Sequence, residues 1–216
     1  MGLEQIKVEL VDHAGGDRSV ALSARVSFSK EPEQFTEAQN NKLIKYLADH
    51  KHLTTMRHNF IQLRCTAPIF LARQLGKHQA GLTWSEESRR YIDTPPEFYT
   101  PDGWRARPDG SVKQGSGTTL VENRFMREFY DSYVKACASA YETLIDEKVA
   151  PEMARMLLPQ SMMTTWIWSG NLLAFVHVYK ERIASGAQIE ARHFAKELRN
   201  VIEPLFPVSF SALIGE

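Results

Sequence analysis

The sequence predicts one mixed unit of helices and strands, and three observations carry that reading. Residues 6–11 and 59–67 alternate apolar and polar side chains, and 162–168 reads as a third strand. Residues 36–49, 122–149, 172–184 and 190–202 carry apolar residues at helical spacing. No G-x-G-x-x-G follows any strand, so a doubly wound dinucleotide-binding sheet is not predicted. At 216 residues the chain is read as a single domain, 1–216, with a long loop at about 92–118.

Composition narrows the function classes. With 26 Lys+Arg against 26 Asp+Glu there is no basic excess, which argues against a general nucleic-acid-polymer binder. The start of the chain lacks a basic region followed by an apolar run, and Ile6 stands where myristoylation after Gly2 needs Ser or Thr. Residues 156–179 carry no formal charge, but Pro159, Gln160, Ser161, Thr164, Thr165, Ser169, Gly170 and Asn171 interrupt them, so they read as core and not as a membrane span. A cytoplasmic protein without a membrane partner is the expectation. Cys65 and Cys137 are read as reduced packing residues, and no metal-ligand spacing exists.

Taken in order, 6–11 (Ile6, Val8, Leu10) is a half-buried strand, 13–17 a turn, and 20–28 an extended or mixed segment. Thr36 and Gln39 have capping-box spacing ahead of a helix with Leu43, Ile44 and Leu47 inward. His50, His52 and His58 have no acidic or cysteine partner nearby, so capping or surface roles are their default. Residues 59–67 set Phe60, Gln62 and Arg64 against Ile61, Leu63 and Cys65, then run into a helix after Pro68. On that helix Arg73 and Lys77 share one face, and Gln74 and His78 form the next row. The stretch closes on Ser88-Arg89-Arg90-Tyr91, whose hydroxyl and planar guanidinium forks can hold a phosphate. Taken alone, the same residues are equally a solvated basic helix followed by a turn.

Turn signals at Pro95-Pro96, Asp102-Gly103 and Asp109-Gly110 mark the long loop. Its aromatics Phe98, Tyr99 and Trp104 favour a lid or an intersubunit contact over a plain linker. On the longest helix, Phe125, Phe129, Tyr133, Cys137, Ala140 and Leu144 form what reads as one continuous buried stripe. Asn171 caps the helix over 172–184, with Phe175, Val178 and Arg182 near its own face and His177 off it.

The order of these residues resembles the signature of flavin-dependent thymidylate synthases, R-H-R-x-x-S-x-N-E-x-S-x-R-Y. Lys77-His78-Gln79 replaces the opening Arg-His-Arg, Ser85 replaces Asn, and the spacing is one residue longer; Glu86, Ser88, Arg90 and Tyr91 match the close. Ala154-Arg155 ahead of Leu158-Pro159 resembles the family's Ala-Arg-x-x-Leu-Pro, and Arg182 with Ala187, Gln188, Glu190 and Arg192 resembles Leu-Arg-x-x-x-x-Ala-Gln-x-Glu-x-Arg. Arg57 stands where many relatives have Glu. The match runs collinearly over roughly residues 51–210.

The resemblance implies an α+β fold, a small antiparallel sheet flanked by helices. It implies reductive methylation of dUMP to dTMP with methylenetetrahydrofolate as carbon donor, FAD as redox cofactor and NADPH as reductant, in a homotetramer with sites shared between subunits and no metal. It assigns dUMP to Gln74, Glu86, Ser88, Arg90, Arg155 and Arg182, and FAD to His52, Thr54, Lys77, His78, Gln79, Asn171 and His177. Arg182 and Ser88 are the catalytic set. Arg182 would stabilise charge on the pyrimidine, and Ser88, with no His or Asp spaced to activate it, is an anchoring hydroxyl more than a nucleophile. Lys77, Arg90, Arg155 and Arg182 are expected to gather around the anionic substrates, and Asn171 and His177 to meet from different chains. A same-fold enzyme making 5-hydroxymethyl-dUMP and a non-catalytic nucleotide or flavin binder are the alternatives.

Overall fold

The computed structural model describes residues 2–108, 115–117, 119–121 and 124–216. Its elements in chain order are β1 (Lys7–Ala14), α1 (Asp17–Arg25), α2 (Glu37–Asp49), β2 (Phe60–Pro68), α3 (Ile69–Leu75), β3 (Leu82–Glu86), α4 (Arg124–Asp146), α5 (Pro151–Ala154), β4 (Met163–Gly170), α6 (Leu172–Ile183), α7 (Ile189–Ile202) and α8 (Pro207–Ile214). The four strands make one antiparallel sheet in the order β1-β2-β4-β3, and helices flank it, as the α+β reading requires.

Alternation in β2 builds the core. Ile61, Leu63, Cys65 and Ala67 are fully buried, and the register sets Leu63 opposite Trp168 and Cys65 opposite Trp166. Trp166 stacks on Trp84 of β3 at 4.3 Å and on Phe194 of α7 at 6.0 Å, while Trp168 meets Phe175 of α6 edge-on at 5.5 Å. Truncating one such aromatic costs about 3–5 kcal/mol, so this layer holds α6 and α7 to the sheet. The opposite face is polar: Gln62 donates to Ser169 Oγ at 3.1 Å, and the Thr66 and Thr165 hydroxyls pair at 3.2 Å. Thr36 closes the predicted capping box, its Oγ1 accepting from the Gln39 N–H while Gln39 Oε1 accepts from the Thr36 N–H.

Several expectations are corrected. Residues 20–28 are not extended: the Ser19 hydroxyl bonds back to Gly16, opens α1, and buries Val20 and Ala21 on its inner side. Val26 and Phe28, beyond α1, stay in solvent. The turn at 13–17 shrinks to Gly15-Gly16, since β1 continues to Ala14, and the β1 alternation stops at Leu10, 41% exposed where a bulge shifts the register. α3 ends at Leu75, so Lys77 does not share a helical face with Arg73. The chain instead reverses through Gly81, at φ +74°, into β3. β3 was not anticipated, although Leu82 and Trp84 alternate with Thr83 and Ser85. It lies beside Gly170, where a Cβ would stand 2.5 Å from Leu82 Cδ2 and 2.6 Å from the Gly81 carbonyl.

The largest correction concerns α4. Its stripe is not buried: Phe125, Phe129 and Tyr133 are 66%, 60% and 50% exposed, Ala140 is exposed, and Cys137 and Leu144 are half-buried. The inward residue is Tyr141, whose hydroxyl donates to the Ile92 carbonyl.

The described part of the long loop is anchored. Phe98 bridges to Met162, and Tyr99 is buried, donating from its hydroxyl to Glu190. Arg105 Nη2 donates to both carboxylate oxygens of Glu190, at 2.7 and 2.8 Å, which compensates a carboxylate only 2% exposed. Trp104 meets Tyr130 of α4 edge-on at 5.4 Å. The turn expected at Asp109-Gly110 lies outside the described residues. Among the described residues no helix is long and apolar enough to cross a membrane, and no group of three or more His, Cys, Asp or Glu could hold a metal ion.

Candidate active site

Three clusters form around α3, β3 and α6. The first is a cavity of about 140 Å³ lined by Glu86, Ser88, Arg89, Arg155 and Thr164. Glu86 is fixed at the end of β3, accepting from the Thr164 hydroxyl at 2.8 Å and from the Trp84 indole N–H at 3.0 Å. One lone pair on each oxygen remains for a ligand hydroxyl. Ser88 Oγ accepts from the Arg90 backbone N–H at 3.3 Å and from Arg90 Nε at 3.1 Å, which leaves the hydroxyl proton free to donate. Arg89 lines this cavity where Arg90 was expected; it also donates to the Thr94 carbonyl. Arg90 is exposed and turns back over its neighbour Tyr91, 5.0 Å from the ring centre. Arg155, from the turn after α5, donates through Nε to the Glu152 carbonyl at 3.3 Å.

The second cluster joins α3 to α6. Arg182 donates from Nε to His78 Nε2 at 2.9 Å and from Nη2 to the Gln74 carbonyl at 3.5 Å. Gln74 Nε2 in turn donates to Gln188 Oε1 at 2.7 Å. His78 is pulled down to about 4, by burial first and then by the charges of Arg182 and His177. The ring is therefore neutral near pH 7, with its proton on Nδ1 because Nε2 accepts from Arg182. Gln74 stands here and not beside Ser88, because it sits at the far end of α3 from the Ile69 turn that borders the first cavity.

The third is a cavity of about 390 Å³ along the first turns of α6, lined by Arg57, Ala80, Gly81, Asn171, Ala174 and His177 among others. Asn171 and His177 line it together within one chain. The bend of the chain through Gly81 brings one wall to both. The rings of His177 and His78 lie 5.7 Å apart, so the second and third clusters adjoin.

Other predicted residues lie further out. Lys77 and Gln79 are exposed after α3. Thr54 is exposed on the 3-10 turn Leu53–Arg57 and His52 is exposed just ahead of it, in an aromatic group with Tyr46 and His50. The four expected cations are divided: Arg155 is at the first cavity, Arg90 is exposed but bonded to Ser88 of that cavity, Arg182 is at the second cluster, and Lys77 is exposed. Sequence reasoning missed Arg89, Thr164 and the Gln188 contact as site residues. Arg89 carried a signal, since it neighbours Arg90 in the same phosphate-ready run.

A family profile described as "Thymidylate synthase complementing protein" matches residues 9–208. The chain belongs to the flavin-dependent thymidylate synthase family. The flavin-dependent thymidylate synthase of Thermus thermophilus is 31% identical over 205 residues, covering 95% of this chain and 74% of the relative. That of Thermosipho africanus is 31% identical over 211 residues, covering 96% and 90%. Among solved structures, a UMP/dUMP methylase, PolB from Streptomyces cacaoi bound with 5-Br dUMP, superposes with a TM-score of 0.86 at 27% identity, covering 97% of this chain and 95% of that one. The same methylase bound with 5-Br UMP gives 0.84 at 28%, covering 97% and 94%. For a flavin-dependent thymidylate synthase, the three clusters offer distinct chemistry: hydroxyl and guanidinium donors at the first, a fixed cation at the second, and an apolar cavity rimmed by donors at the third.

Proposed function

We propose that this chain methylates dUMP reductively to dTMP, with methylenetetrahydrofolate as carbon donor, FAD as redox cofactor and NADPH as reductant. The observation that carries the reading is the fixed Arg182, held by His78 and the Gln74 carbonyl, in a chain that also forms a separate Glu86–Ser88–Arg155 cavity. The phosphate of dUMP takes Ser88, Arg155 and the neighbouring Arg89 and Arg90, and Glu86 accepts from a ribose hydroxyl. Arg182 faces the pyrimidine, where negative charge develops on ring oxygens, and a cation oriented beforehand stabilises that charge without reorganising. Gln74 backs Arg182 through its carbonyl and is itself held by Gln188.

The third cavity fits a flavin: Ala80, Gly81 and Ala174 give an apolar surface, and Asn171 and His177 give polar edges, with His78 next to them. Lys77, Gln79, His52 and Thr54 lie on the segments leading to it. Bound flavin supplies the electrons for the reduction. Ser88 acts as an anchor: among the described residues its Oγ bonds only to Arg90 donors, with no His or Asp to take its proton.

The working form is a cytoplasmic homotetramer of 1–216 domains whose sites are completed across subunits. Support comes from the exposed apolar face of α4 and from the division of Arg90, Arg155 and Arg182 within one chain. A second reading, activity on UMP as well as dUMP, is favoured by the two solved neighbours, described as a UMP/dUMP methylase. The deciding experiment incubates purified protein with FAD, NADPH, methylenetetrahydrofolate and either nucleotide, then identifies the product by mass spectrometry. Methylated dUMP supports the main reading, and methylated UMP adds the second. A hydroxymethyl product, or binding without turnover, overturns it.

A further inference from the structure

We propose that Arg57 contacts a phosphate of the flavin nucleotide at the rim of the 390 Å³ cavity beside α6. The inference rests on the flavin reading of that cavity and goes beyond the residues assigned to it.

Among the described residues, the polar groups lining the cavity are Arg57, Asn171 and His177, with no Asp or Glu. Asn171 commits Oδ1 to capping α6, where it takes the Ala174 N–H at 3.0 Å, and its Nδ2 offers two donors. Arg57 makes no hydrogen bond or ion pair among the described residues and is exposed. A guanidinium beside further donors, with no carboxylate to neutralise it, favours a ligand that brings acceptors and negative charge.

Position then decides which part of the ligand it meets. The apolar wall of Ala80, Gly81 and Ala174 suits a flat ring, whereas Arg57 at the solvent edge suits the charged end of the same molecule. The segment after α3 offers little help with that charge: Lys77 is a point cation without a planar fork, and Gln79 is neutral. Arg57 restores a bidentate donor from a different element, the 3-10 turn Leu53–Arg57.

The test titrates full-length protein, stripped of flavin, with FAD, FMN and riboflavin, following flavin fluorescence for the unaltered chain, Arg57→Met and Arg57→Lys. Arg57→Met should raise the Kd for FAD and FMN by about tenfold or more while riboflavin, which has no phosphate, changes by less than about twofold. Arg57→Lys should recover part of the loss, and the salt dependence of FAD binding should flatten in Arg57→Met. Equal loss for riboflavin, or an unchanged Kd for FAD, overturns the assignment while leaving the flavin reading intact. Failure of the unaltered chain to bind any flavin overturns both. Circular dichroism of each variant separates lost folding from lost contact.

Discussion

The Nε–H of Arg182 donates to Nε2 of His78 at 2.9 Å, binding a cation from α6 to the neutral imidazole that follows α3. The folded state holds His78 at about 4, below its ordinary 6.5, by burial first and then by Arg182 and His177. Between those values the unfolded chain binds the extra proton, so stability from this site is complete above about pH 6.5 and is lost as pH falls toward 4. Thermal melting should show the unaltered chain losing stability over that window more steeply than His78→Gln, whose amide oxygen accepts from Arg182 at any pH. Parallel curves would exclude the coupling.

Arg155→Ala and Arg90→Ala should each weaken dUMP binding by about 1.5–3 kcal/mol, the range for hydrogen bonds to charged groups. FAD retention and the melting temperature should hold, since both side chains are exposed. Calorimetric titration with each ligand checks this; parallel loss of dUMP and FAD would mean that the arginines support the fold.

Phe129→Glu on α4 should lower the assembly state measured by light scattering, with far-ultraviolet circular dichroism unchanged. The side chain is 60% exposed and stacks at 6.0 Å on Phe125, so the charge meets solvent in one chain but an apolar face in an assembly. An unchanged mass would remove α4 from the interface.

Asp17 caps α8 from across the chain. Its carboxylate accepts from the Val208 and Ser209 N–H groups at 2.8 and 2.9 Å and from the Ser209 hydroxyl at 2.5 Å. Asp17→Ala leaves these donors without their acceptor and should cost about 2 kcal/mol, read from urea denaturation. A change under about 0.5 kcal/mol would show that water replaces the cap.

Cys65→Ala and Cys137→Ala, singly and together, should retain dTMP synthesis. Burial pushes the Cys65 thiol far above its ordinary range, where it is no nucleophile, and neither cysteine lines the three site clusters. Cys65→Ala should cost about 1–3 kcal/mol through lost packing. Loss of turnover with flavin content and fold intact would require a thiol mechanism.

Local features were legible in the sequence because their causes are local. The Thr36–Gln39 box lies within one turn, the Ile61, Leu63 and Cys65 alternation within one strand, and the Asn171 cap within four residues. The Ser88–Tyr91 run and Arg155 could likewise be singled out as phosphate chemistry from their side chains and order. Periodicity states which residues share a face, but not what covers that face. The α4 stripe was therefore recognised as apolar, while its exposure had to come from the packed chain.

The tertiary structure alone decided which separated segments meet. It brought Arg89 to the Ser88 cavity in place of Arg90, joined Arg182 to His78 across 104 positions and Gln74 to Gln188 across 114, and placed Arg57 on one wall with Asn171 and His177. It also paired Glu190 with Arg105 of the long loop, 85 positions away, and buried that carboxylate. Such contacts depend on the register of β2 against β4 and on the reversal at Gly81, and each is stabilised only once the core that fixes both has formed.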